Sequence, residues 1–187
     1  MQRTLVSAAV LLLLSACFES HTPLGPPGEV ARGVSFIGIW RCHTPTMESD
    51  EVMTITVLPF DEHQLLLELK ELTVVDGVEQ SSPSDIERYR FYPSEIAAKS
   101  RGSDTPDKSD RQILWNAQEL GLSASAAAWT FVRISLANKS SLVAQIVQDN
   151  ALQGKTEQEK LSDLRKRVSD EAIYGEAIRC KRVTDAD

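Results

Sequence analysis

From Val34 to Val183 the apolar residues of this chain return with a period of two, segment after segment, and only once with the period of a helix. That rhythm restricts the fold more than any other feature. Successive side chains of a strand point to opposite faces, whereas a helix repeats every 3.6 residues. Val34–Cys42 puts Val34, Phe36, Gly38, Trp40 and Cys42 on one face. Glu51–Leu58 is rich in β-branched residues, and Gln64–Val75 follows it after a turn at Pro59–His63; Leu65, Leu67, Leu69 and Leu72 would also suit a helix, but the neighbouring strand and short turn favour a hairpin. Asp76-Gly77 is a tight-turn pair, so Val78 onward folds back as a short strand. Ile86–Tyr92, with Tyr89 and Phe91 toward the core, continues the pattern. So do Arg111–Asn116, Trp129–Ala137 and Leu142–Gln148, and Ala177–Val183 ends it. Pro93–Asp110 is polar and reads as a long exposed excursion, while Ala117–Ala128 is Ala/Ser-rich without a period.

The period changes after Gln148. Thr156-Glu157-Gln158-Glu159 has the form of a capping box, and Leu161, Leu164, Val168 and Ala172 recur at helical spacing. Lys160, Arg165, Lys166 and Arg167 fall on the solvent side of that helix. The expectation is a mainly β (α+β) single domain over residues 34–187. It is an antiparallel curved sheet or small barrel of about 7–8 strands, with one C-terminal amphipathic helix and a final strand.

The first residues have a different logic. Met1–Thr4 carries one positive charge, Leu5–Leu14 is apolar apart from Ser7, and the small residues Ser15 and Ala16 precede Cys17. This is the layout of a secretory signal. An apolar run of about ten residues is half of the ~20 that a spanning helix needs. Leu14-Ser15-Ala16-Cys17 resembles the lipobox of bacterial lipoproteins. The resemblance implies removal of residues 1–16 as a signal peptide, diacylglycerol on the Cys17 thiol, and an acyl chain such as palmitate on its new amino group. Within that family an Asp after the cysteine tends to retain the protein in the inner membrane. Phe18 at this position implies the outer membrane of a Gram-negative host; the periplasmic face is the expected side, although the residue itself does not select it. Residues 17–33, with Pro23, Gly25, Pro26, Pro27, Gly28 and Gly33, then read as lipidated cysteine plus flexible tether. With Cys17 given to lipid, Cys42 and Cys180 are left in an oxidising compartment and are expected to form a disulfide. Closing so long a loop contributes up to ~4–5 kcal/mol in the chain-entropy account.

Charge narrows the partners. Asp and Glu number 27 against 20 Lys and Arg, for a net charge of −7. That balance opposes a nucleic-acid footprint and peripheral binding to anionic headgroups, and it permits a basic protein partner. No phosphate loop or dinucleotide fingerprint is present, so no cofactor is expected. His21, His43 and His63 have no zinc-ligand spacing and read as surface residues, so no metal is expected. Gly121-Leu122-Ser123-Ala124-Ser125 lacks the last glycine of a nucleophile elbow, and the pairs Glu48/Asp50 and Asp61/Glu62 read as solvated loops. No catalytic residue is assigned and the chain is not expected to be an enzyme. Arg179-Cys180-Lys181-Arg182 reads as the charged face of an edge strand.

Gly38-Ile39-Trp40 looks like the Gly-x-Trp that opens lipocalins, where the Trp plugs the barrel floor. That resemblance makes Gly38 and Trp40 candidate residues at the floor of a binding cavity. The functional expectation is a lipid-anchored, non-catalytic envelope lipoprotein, attached to the membrane through its anchor and acting as an accessory or scaffold for an envelope protein partner. The alternatives are a lipocalin-like carrier of a small apolar ligand, and an inhibitor or immunity protein against a periplasmic hydrolase.

Overall fold

The computed structural model describes residues 17–27, 36–45, 47–48, 51–80, 86–97, 111–121 and 127–184. The strands are β1 (Glu19–Ser20), β2 (Gly38–His43), β3 (Glu51–Pro59), β4 (Leu65–Val75), β5 (Val78–Gln80), β6 (Ile86–Ala97), β7 (Arg111–Glu119), β8 (Trp129–Asn138), β9 (Ser141–Ile146) and β10 (Ile178–Arg182). One helix, α1 (Glu157–Arg167), lies between β9 and β10.

Eight of the strands close into an antiparallel barrel. Each of β2, β3, β4, β6, β7, β8 and β9 pairs with the next, and β10 fills the gap between β9 and β2. The other two are appendages, β1 on β8 and β5 on β4. The Asp76-Gly77 turn takes positive φ at both residues, 52° and 77°, as a two-residue hairpin of type I′ requires. Val75 pairs with Val78 across it.

Pro93 lies inside β6, where a proline would ordinarily end a strand. β4 pairs only with residues 86–91 of β6, whereas β7 pairs with 89–97. At Pro93 one side of β6 therefore has no ladder partner among the described residues, and the missing N–H leaves no ladder bond unmade there. The excursion expected from Pro93 is thus corrected: the strand runs on to Ala97, and residues 98–110 lie outside the described residues. Likewise Ala117–Glu119 extends β7, and of the first expected strand Val34 and Ser35 lie outside the described residues. So do residues 1–16 of the expected signal.

Apolar side chains form two clusters on the two faces of the same wall. The inner cluster includes Phe36, Trp40, Met53, Val57, Leu65, Phe91, Trp115, Leu142 and Ala144 with both disulfide cysteines. The outer one packs Leu161, Leu164 and Val168 from α1 and its end against Tyr92, Ile96, Leu114, Trp129, Phe131 and Val147. The capping box forms as expected, with Thr156 Oγ1 accepting from Glu159 N–H and the Glu159 carboxylate accepting from Thr156 N–H. Ala172 departs from the expected stripe; it sits exposed in a separate short turn, Glu171–Ile173. Lys160 and Arg167 are also less solvated than expected. Lys160 Nζ meets Asp149 at 2.6 Å, and Arg167 bridges Asp163 and Asp170.

The largest correction concerns the tether. Residues 17–27 are laid against the barrel. Phe18 is 2 % exposed, with its ring 5.7 Å from that of Phe131, and Phe18 N–H donates to Val147 O at 2.9 Å. Leu24 is buried too; its N–H donates to Asn116 Oδ1 at 2.9 Å and its carbonyl accepts from Arg165 Nη2 at 3.0 Å. Two apolar side chains with a ready-made apolar wall beneath them gain more from burial than the chain loses in freedom. Residues 28–33 of the expected tether lie outside the described residues.

Candidate functional site: the barrel lumen

The lumen is built by alternation. β2 points Gly38, Trp40 and Cys42 inward, opposite Val57, Ile55 and Met53 of β3. Inward rows continue through Leu65, Leu67 and Leu69 of β4 to Phe91, Tyr89 and Glu87 of β6, and then to Ala117 and Glu119 of β7. At one end these side chains make a solid floor. Trp40 is 1 % exposed, and its Nε1–H donates to Phe36 O at 2.7 Å. Trp115 stacks on Phe91 with centroids 4.5 Å apart and meets Phe36 edge-on at 4.8 Å. The Arg182 guanidinium lies 4.7 Å from the Trp40 ring centroid, a cation–π contact inside the barrel. Gly38 has φ 138°, a conformation that side chains resist, so the glycine is needed for its backbone and not for space.

Gly38 and Trp40 both face the interior: Trp40 packs into the floor, and Gly38 supplies a backbone conformation that other residues resist. Arg182 was missed. Its signal was present: if Cys180 faces inward, period two turns Arg182 inward as well. This overturns the edge-strand reading of the basic run. β10 has a partner on each side, with Arg179 and Lys181 outward and Cys180 and Arg182 inward. The Cys42–Cys180 disulfide forms directly across the β2–β10 register, at a Cα–Cα distance of 4.0 Å, and staples the seam where the first and last barrel strands meet.

Above the floor the packing is incomplete. Ile55, Leu67, Leu69, Val132, Ile134 and Ile178 face inward yet remain partly exposed. In a closed ring, water reaches an inward-facing side chain only through the lumen. Polar groups gather along the Tyr89 row. Tyr89 Oη donates to Glu87 Oε2 at 2.7 Å, and burial, helped by the Glu87 carboxylate, pushes the Tyr89 hydroxyl far above its ordinary pKa. Desolvation and the neighbouring carboxylates of Glu87 and Glu19 raise Glu119 as well.

Cys17 sits at this end, bridged to Gln148 and 7 % exposed. In the unlipidated chain, burial and Glu19 push the Cys17 thiol up to about 11. Of the histidines, His21 and His43 are exposed on separate elements. Asp61 Oδ1 accepts from His63 N–H and Gln64 N–H, so the Asp61-Glu62-His63 group is a turn held by its own backbone. Among the described residues no group of three or more His, Cys, Asp or Glu could hold a metal ion, and no helix is long and apolar enough to cross a membrane. A comparison with protein-family models, curated proteins and solved structures finds no match to this chain.

Proposed function

We propose that this chain is a lipid-anchored, non-catalytic protein of the bacterial outer membrane whose barrel carries a small apolar ligand. One observation supports the carrier reading above the others: a closed barrel whose inward aliphatic side chains stay partly open to solvent above an aromatic floor. Barrels of eight strands are wide enough to fill with side chains or to hold one small ligand, and unfilled apolar lining favours the second use. Purification in mild detergent followed by native mass spectrometry tests it. A stoichiometric apolar molecule, or uptake of a neutral apolar dye such as Nile red, is the expected result. A bare chain that takes up no dye overturns the reading.

The anchor rests on the lipobox and is tested separately, by the mass of the mature N-terminus. The expected mass is that of triacylated Cys17, and a Cys17→Ala variant is expected to leave the membrane fraction.

The reading as an accessory to an envelope protein keeps one specific support. On the wall left uncovered by α1, Arg41 stands opposite Lys181 and His43 opposite Arg179, beside exposed Ile39, Leu58 and Val183. Arg41 is paired with Glu79, whereas Arg179 and Lys181 face solvent without an ion pair among the described residues, and an acidic partner complements that basic face. Site-specific crosslinking in cells from position 39 would yield a discrete adduct that the paired substitutions Arg179→Glu and Lys181→Glu abolish. No adduct, or one insensitive to those charges, would remove this support.

A further inference from the structure

The N-terminal segment enters the barrel wall at the mouth of the lumen. Glu19 pairs with Thr130 of β8, and Thr130 pairs in turn with Ala117 of β7, an inner-face residue. Glu19 is therefore on the lumen side. Its neighbours alternate with it: Phe18 packs in the outer cluster, and Ser20 Oγ donates to Glu157 of α1. The same alternation turns Cys17 inward. Cys17 bridges Gln148, the residue after the outward-facing Val147, so the phase agrees from that side too. Charge agrees as well. Beyond burial and Glu87, both Glu119 and Cys17 push the Tyr89 hydroxyl up, and Tyr89 faces the lumen from β6.

The atom that the lipobox marks for lipid thus stands at the entrance of an apolar lumen. From there the inner wall runs past Ala117, Val132 and Ile134, side chains that the described chain leaves partly open, toward the aromatic floor of Trp40 and Trp115. Thr130 to Ile134 spans about 13 Å of strand at ~3.3 Å per residue. The rim selects what can enter. Glu19, Glu87 and Glu119 gather at the mouth, so a free fatty acid would bring its carboxylate against like charges. An acyl chain joined through an ester or amide brings no charge. We infer that one acyl chain of the Cys17 lipid occupies the lumen and competes there with the carried ligand. The inference rests on the anchor and carrier readings above. It ties membrane attachment to ligand occupancy: a ligand in the lumen releases the acyl chain to the bilayer, and its departure lets the chain return.

The test compares the lipidated chain, purified in mild deuterated detergent, with Cys17→Ala exported behind a signal that lacks a lipobox and handled identically. Methyl-labelled samples of both are read by NMR, and Nile red is titrated into both. The expected result is NOE contact from acyl protons to the Val132 and Ile134 methyls in the lipidated chain alone. Dye uptake is expected to be saturable in both, with an apparent affinity at least about tenfold weaker in the lipidated chain, whose own lipid is a tethered competitor. Circular dichroism confirms that the variant folds. Absence of the acyl contact overturns the inference. So does the same contact in Cys17→Ala, which would identify co-purified lipid as the occupant. Equal dye affinities, with the acylated mass of Cys17 confirmed, overturn the inference alone and leave the anchor and carrier readings standing. Dye uptake by neither chain overturns the carrier reading with it, and an unmodified Cys17 overturns the anchor reading with it.

Discussion

The two faces of the β6–β8 wall are both apolar, and they are finished in different ways. On the outer face the chain covers its own surface, laying α1 and residues 17–27 over Tyr92, Leu114, Trp129 and Phe131. That cover is held by directional bonds as well as by burial. Asn116, fully buried, accepts from Leu24 N–H and donates to Tyr92 O and to Ser94 Oγ. Tyr174 Oη donates to Val168 O at 2.6 Å, and Arg133 lies 3.9 Å from the Tyr174 ring centroid while pairing with Glu171. On the inner face the floor is dense, but nothing from the described chain covers Ala117, Val132 and Ile134 completely. The difference teaches where a ligand has room: the outer apolar surface is already spoken for by the chain, and the inner one is not.

The sharpest way to break this contrast is at Phe18. As an outer-core residue, Phe18→Ala is expected to cost about 3–5 kcal/mol in urea unfolding, whereas on a free tether it would cost almost nothing. The same variant should leave dye uptake by the lumen intact, which separates the two faces. Next in size is the seam. Replacing both Cys42 and Cys180 by Ser is expected to lower stability by about 2–5 kcal/mol and to loosen the lumen, because the bridge ties β2 to β10 directly. An unchanged denaturation midpoint would show that hydrogen bonding alone closes the barrel.

A smaller effect belongs to Asn116→Leu. It strands the Leu24 N–H beneath the N-terminal segment and is expected to cost about 1–3 kcal/mol. Faster amide exchange should be confined to residues 18–25 if the outer cover is a separate cooperative piece. The smallest effect is one of pH. Glu157 ties α1 to the N-terminal segment by accepting from Ser20 Oγ at 2.7 Å and from Thr22 N–H. The Ser20 hydroxyl, then the nearby backbone amides, hold its carboxyl below the ordinary range. Its folded pKa is depressed, so its contribution is present above the unfolded value and is lost as pH falls through the folded one. Glu119 on the inner rim is raised, and its contribution has the opposite sign. Acidification should therefore neutralise Glu119 at the rim first, and increase exchange at Ser20–Thr22 only at lower pH.

Much of the barrel was legible because the inner face obeys one rule. Once Trp40 and Cys42 share a face, the same alternation carries through Phe91, Trp115 and Cys180 and needs only the disulfide to close it. The outer layer was less legible because it is assembled from distant segments. Phe18 and Leu24 lie among prolines and glycines that signal a loop, and nothing local says that a loop will dock on Phe131 or Asn116. The helix was readable from Thr156, Glu159, Leu161 and Leu164 alone, but the surface it covers was not. Tyr92, Ile96 and Leu114 fall on the phase opposite Phe91 and Trp115, the pattern of strands covered on both faces. The interior Arg182 needed the position of Cys180 first, and the Arg90–Trp129 pair is a contact between strands that no local pattern announces.

The lumen is the claim on which the functional account turns, and one pair of titrations addresses it. Nile red would be added to the native protein and to Leu69→Trp, a variant that fills the partly open wall above the floor while keeping the site apolar. The account predicts saturable uptake by the native chain and its loss in Leu69→Trp, with the thermal midpoint of the variant within a few degrees of the native value. Equal uptake by both proteins, or none by the native one, would contradict it and leave the barrel as a filled scaffold.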